Sequence, residues 1–179
     1  MKKFIVLILL LVSMAICSSA REKGGNPYYK TGYLGTIGLN AGHMFGDTGS
    51  SDIITSHGKT FGNGLFVGGG IAITSLWDLD DAFYDVTIPI FGEMKYSFIN
   101  GDISPFADFK LGLSVYSSNI SGVGLFASPS LGVDIRRWSI FLSYSHLAFS
   151  RYKGVEFVKH METFRHERDI LQIGFSWNF

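Results

Sequence analysis

Leu171-Gln172-Ile173-Gly174-Phe175-Ser176-Trp177-Asn178-Phe179 alternates without a break, placing Leu171, Ile173, Phe175, Trp177 and Phe179 on one face. Gln172, Gly174, Ser176 and Asn178 share the other. A period of two belongs to a β-strand, here with one apolar and one polar side.

Working back from this strand, the same period recurs through most of the chain. The alternation predicts strands over about Tyr33 to Phe45, a weaker one over Ile53 to Phe61, then Leu65 to Trp77, Asp85 to Phe98, Pro105 to Tyr116, Gly124 to Ile135 and Trp138 to Phe149. With Ile170 to Phe179 the count is eight. Pro89 lacks an N–H and calls for a bulge or a gap in its ladder. The connections alternate in length: short at Gly62 to Gly64, Asn100 to Ile103 and Arg136 to Arg137, and longer at Gly46 to Asp52, Asp78 to Tyr84, Ser117 to Val123 and Ser150 to Asp169. In a membrane-spanning barrel the short turns are periplasmic and the long loops extracellular. No apolar run is long enough for a transmembrane helix, which leaves strands as the spanning elements.

Alternation does not say which face points inward, because a soluble eight-stranded barrel has the same period with its apolar residues inside. Composition favours the membrane. The polar face is mostly Gly, Ser, Thr and Ala, which suits a crowded narrow lumen, whereas a surface in water would carry many Lys and Glu. The aromatics Tyr33, Trp77, Trp138, Tyr144 and Trp177, with Phe98 and Phe179, fall near strand ends, as two interfacial girdles would. The expectation is all-β: an eight-stranded antiparallel transmembrane β-barrel with a polar, plugged lumen. A secreted barrel binding an apolar ligand is the reading in which the faces are exchanged.

Two resemblances accompany these patterns. The terminal strand resembles the C-terminal targeting strand of bacterial outer membrane barrels, which implies the barrel assembly machinery as a partner. The stretches Ile54-Thr55-Ser56-His57-Gly58, Leu65-Phe66-Val67-Gly68-Gly69-Gly70-Ile71, Ile103-Ser104-Pro105-Phe106-Ala107-Asp108-Phe109-Lys110-Leu111-Gly112 and Ser128-Pro129-Ser130-Leu131-Gly132-Val133 resemble the small outer membrane β-barrel domain proteins of Bacteroidota. That group implies a fold and a compartment, and no shared activity.

The other end of the chain is consistent with export. Lys2 and Lys3 precede an apolar segment from Phe4 to Ile16, and Ser18-Ser19-Ala20 offers a small-x-Ala cleavage site, so residues 1–20 read as a signal peptide. A lipid anchor on Cys17 is the rival, opposed by the bulky Ile16 just before it. Residues 21–32 then read as an N-terminal spacer and 33–179 as the barrel. The full chain has 15 basic and 15 acidic residues, so loss of Lys2 and Lys3 leaves a net charge of two negative. Nothing in that balance recruits nucleic acid or an anionic surface. Cys17, the only cysteine, leaves with the signal, and no disulfide can hold the fold.

Charges inside strands are the candidates for chemistry. Glu93, Lys95, Asp108 and Lys110 lie on the polar faces of the fourth and fifth strands, and Asp134 on that of the sixth. A turn over Asn100 to Ile103 sets Glu93 against Lys110 and Lys95 against Asp108. A tighter Asn100-Gly101 turn would oppose Glu93 to Asp108, a like-charge contact that costs energy. A salt-bridge plug fits the narrow bore of eight strands better than an ion path. His146 invites comparison with outer membrane lipid A deacylases, eight-stranded barrels whose His-x-Ser pair sits near the extracellular rim. Here Ala148 stands where that serine would be, which removes an acyl-enzyme route. His160 and His166 fix no metal geometry, His43 and His57 have no neighbours at ligand spacing, and no cofactor motif is present. The sequence therefore predicts a monomeric, non-enzymatic barrel, with a lipid A-modifying outer membrane enzyme as the main alternative. Its partners would be outer membrane lipids and lipopolysaccharide, reached in part through basic residues of the last loop, with nothing in the sequence to name a loop ligand.

Overall fold

Alternation of this kind closes a sheet when every strand finds two neighbours, and in a computed structural model of the chain it does so. The structure describes residues 25–44, 48–78, 84–117, 121–152 and 163–179. Eight antiparallel strands form a closed barrel in sequence order: β1 (Thr31–Met44), β2 (Thr48–Phe61), β3 (Leu65–Asp78), β4 (Tyr84–Ser97), β5 (Ile103–Ser117), β6 (Ser121–Ile135), β7 (Trp138–Tyr152) and β8 (Thr163–Asn178). β1 pairs with β8 to close the seam. Phe179 continues that seam through a reciprocal backbone pair with Gly35, at 2.9 and 2.8 Å.

Following ladder partners around the barrel measures its tilt. From Leu65 the row passes through Tyr96, Ala107, Leu131, Leu142, Ile173, Ala41 and Ser51, and returns to β3 at Ser75, ten residues further along. With about 3.3 Å per residue and about 4.8 Å between strands, a stagger of ten over eight strands tilts them by about 41°. Each residue then advances about 2.5 Å along the axis, and one circuit climbs about 25 Å, the height of an apolar membrane band.

The apolar face points outward. Leu39, Ile90, Leu113, Leu131, Ile140 and Ile173 are exposed, while Ser, Thr, Asn, Gln and charged side chains of the same strands are buried. The exchanged arrangement, a soluble barrel with an apolar cavity, is thereby overturned. Such an exterior is stable in hydrocarbon and costly in water. Trp138 stacks on Phe175 at 4.9 Å between ring centres and leans on Trp177 at 6.1 Å, forming part of the girdle at the end that carries the short turns. No described helix is long and apolar enough to cross a membrane.

Three details differ from the sequence expectation. β2 begins at Thr48, five residues before the expected Ile53, because Gly49, Ser50, Ser51 and Asp52 pair with β3 despite their weak alternation. The stretch expected as a loop from Ser150 to Asp169 contributes Ser150–Tyr152 to β7 and Thr163–Asp169 to β8. Residues 153–162, with Lys153, Glu156, Lys159, His160 and Glu162 among them, lie outside the described residues. Asn26 and the 3-10 turn Pro27–Tyr29, within the segment expected as a spacer, fold into the barrel mouth. At Pro89 the β3–β4 ladder skips from Ile71↔Ile90 to Thr74↔Thr87 in unchanged register, which is a gap without a bulge.

Candidate functional site

The lumen contains the densest chemistry. The β4–β5 register sets Glu93 opposite Lys110 and Lys95 opposite Asp108, the pairing that a turn over Asn100 to Ile103 requires. The ion pairs do not follow the ladder throughout. Lys110 bridges Glu93, at 3.4 Å, and Asp108 on its own strand, in close contact. Lys95 turns away from Asp108 to Asp134 on β6, at 2.7 Å. Asp134 is 1% exposed and has no other cation beside it among the described residues, and a lysine stem is long enough to cross to it. The expected Lys95–Asp108 ion pair is thus replaced by Lys95–Asp134, while Asp108 is held by Lys110 and the Ser130 hydroxyl at 3.0 Å. Ser139 and Ser97 donate to Asp134 at 2.6 and 3.2 Å, completing its shell.

Aromatic rings surround these charges. The Lys95 ammonium lies 3.6 Å from the centre of the Phe106 ring and 4.2 Å from that of Tyr28. Both are cation–π distances, and their strength grows where water is excluded. Tyr28 is fully buried and acts as a stopper from the turn side. Its hydroxyl donates to Asn178 Oδ1 at 2.9 Å, and its N–H is capped by Asn26 Oδ1 at 3.0 Å. Asn26 in turn donates to Ser97 at 2.8 Å. An Asn-Pro start marks the turn in the sequence, though not the burial of the aromatic that follows it.

On the opposite side of the ions, the lumen is closed by an apolar layer of Ile54, Ala72, Leu76, Phe91, Phe126, Leu147 and Ile170. Phe91 lies two residues beyond Glu93, so the layer begins next to the ion pairs. Inward glycines make room for the rings: a Cβ on Gly70 would meet Phe91 at 2.7 Å, and one on Gly132 would meet Phe106 at 2.8 Å. Gln172 ties the layer to the walls, accepting from Ser145 at 3.0 Å and donating to Asp52 at 2.6 Å and Ser50 at 3.2 Å.

Polar groups also interrupt the outer face, and in two places among the described residues they include a histidine bonded to its neighbours. On β7 and β8, Tyr144 donates to Asp169 Oδ1 at 2.6 Å, and His146 Nδ1 meets the same oxygen at 2.7 Å. His146 stands eight residues along β7 from Trp138, about 20 Å up the axis, at the far edge of the apolar band. Pairing across to Asp169 was not visible in the sequence, because it depends on the β7–β8 register His146↔Asp169. Ala148 follows on the same face and supplies no nucleophile. Near the other edge, Tyr33 bonds His57 Nδ1, and His57 Nε2 lies 3.2 Å from Thr55, whose hydroxyl donates to the Thr36 carbonyl at 2.9 Å. With Thr55 donating onward, its oxygen is left to accept from an Nε2–H of His57. Among the described residues no group of three or more His, Cys, Asp or Glu could hold a metal ion.

No protein-family model and no curated protein matches the chain. Solved structures do. The outer membrane enzyme PagL superposes with a TM-score of 0.58 at 10% identity, over 79% of this chain and 98% of PagL. Neisserial surface protein A (NspA) gives 0.46 at 14% identity, over 82% and 96%, and the N-terminal β-barrel domain of Pseudomonas aeruginosa OprF gives 0.44 at 13%, over 84% and 100%. The fold is that of a small, closed, eight-stranded outer membrane barrel.

Proposed function

We propose that this is an integral outer membrane barrel that neither conducts nor catalyses, and that it acts through its extracellular rim and loops as an interaction or envelope-structural surface. One observation carries the reading: the lumen is blocked in series by Tyr28, by the paired ions and by an apolar layer. A barrel of this width has no spare bore for a solute. Support for the rim comes from β8, whose Thr163–Asp169 segment continues beside β7 past the last described β1 partner, Met44↔Ile170. Kinship with the Bacteroidota group, export by a signal peptide and delivery by the barrel assembly machinery belong to the same reading.

The test is cell fractionation with gel mobility before and after boiling, followed by planar-bilayer recording of the purified barrel. A heat-modifiable band in the outer membrane with no steady conductance is the expected result. Unitary conductance steps would refute the sealed lumen.

A second reading, a lipid-modifying enzyme, is favoured by the outward Tyr144–Asp169–His146 group at the level of the outer-leaflet headgroups. An imidazole held at Nδ1 by a carboxylate leaves Nε2 free to act as a base. Mass spectrometry of lipid A from cells with and without the protein distinguishes the two. Unchanged lipid A is expected; a mass change abolished by His146→Ala would replace the first reading.

A further inference from the structure

Besides Asp52 Oδ1, two carboxylate oxygens among the described residues have no partner in the protein: Glu93 Oε2 and Asp108 Oδ1. Their side chains are 5% and 3% exposed, and each is bound through its other oxygen to the same Lys110 ammonium. A buried charged acceptor left unmatched is costly, and native structures match such groups with protein or with water. Both residues line one internal cavity of about 20 Å³, together with Thr36, Ser56, Lys110 and Ser176. That volume exceeds the roughly 10–15 Å³ needed to seat a water molecule, and it is far too small for an organic ligand.

We propose that this cavity is a built water site, occupied by one molecule that donates one hydrogen to Glu93 Oε2 and the other to Asp108 Oδ1. Water supplies what the site lacks. Both orphan atoms are acceptors, so the occupant must be a double donor. The Lys110 ammonium in the same wall disfavours a metal cation, and the hydroxyls of Thr36 and Ser56, 2.7 Å apart, offer the oxygen of the water a third partner. The molecule joins Glu93 on β4 and Asp108 on β5 to the hydroxyls of β1 and β2. Tyr28 lies on one side of it and the apolar layer on the other. Its exchange with solvent is therefore slow, and the stopper sets the rate.

A crystal structure at a resolution that shows ordered solvent tests the occupancy. Density at about 2.7–3.0 Å from both Glu93 Oε2 and Asp108 Oδ1 is the expected result. An empty cavity with the two carboxyl groups drawn together over a shared proton would overturn the proposal, as would an ion at the roughly 2.3–2.6 Å of a calcium–oxygen contact. Oxygen-17 relaxation dispersion on the barrel in nanodiscs tests the confinement. A long-lived water is expected in the native protein, with its residence time shortened about tenfold or more by Tyr28→Ala. Absence of any long-lived water in the native barrel overturns the site whether or not that variant folds.

Discussion

Replacing Lys110 by Met probes the lumen most directly, because one ammonium serves two carboxylates. The side chain keeps its length and loses its charge. At the observed 3.4 Å from Glu93 and an effective dielectric constant of about 20, the lost attraction is about 5 kcal/mol. Asp108 loses its cation in the same step, and breaking a buried pair from one side costs about 3–5 kcal/mol in measured cases. We expect Lys110→Met to lower the unfolding free energy by that amount, read by urea titration of the barrel in lipid vesicles with tryptophan emission and gel mobility as paired probes. Adding Glu93→Gln to the same molecule should recover about 1–3 kcal/mol, since it removes one of the two stranded charges. A loss below about 1 kcal/mol for the single variant would mean that water already screens these ions, as at exposed pairs, and the sealed lumen would be refuted.

Reversing Glu93 to Lys should destabilise the barrel, and Lys110→Glu in the same molecule should rescue it only in part, because Asp108 then faces a new carboxylate; urea titration with no rescue at all would contradict the Glu93–Lys110 contact. Tyr28→Ala should cost about 3 kcal/mol through lost packing and the bond to Asn178, yet leave planar bilayers silent, since the apolar layer stays in place. Phe179→Ser should reduce the heat-modifiable fraction in the outer membrane, because the ring sits over Gly35 and against Trp177 at 5.4 Å on the closing seam. For His57, nitrogen-15 spectra of the folded barrel should show a proton on Nε2, and a bare Nε2 would exclude the Tyr33–His57–Thr55 chain.

Strand positions and the β4–β5 register were legible because one face of each strand meets lipid and the other meets a polar bore. Where that contrast stops, so does the signal. Thr163–Asp169 and Ser150–Tyr152 form strands at the open end of the barrel, where residues such as Arg151, Arg165 and Glu167 break the alternation. Charge complementarity picked Glu93↔Lys110 correctly as a ladder pair, but a ladder constrains backbones and not the ends of long side chains, so the reach of Lys95 to Asp134 was hidden. Inward phenylalanines were readable by parity: Phe66, Phe91, Phe106, Phe126 and Phe141 all fall on the Gly- and Ser-bearing face. Their grouping into separate layers depends on the ten-residue stagger, which no single strand encodes. The stopper at Tyr28 was out of reach for a related reason, as its burial exists only once eight strands surround it.

That stopper also orders assembly. Tyr28 is tied to Asn178, 150 positions later and next to the final residue, so the bond cannot form until the last strand has docked beside the first. Until then the mouth stands open and the ions of the interior are wet. Insertion can therefore proceed with hydrated charges, and the expulsion of solvent from the bore falls to the end of folding, completed by the two extremities of the barrel meeting at one rim.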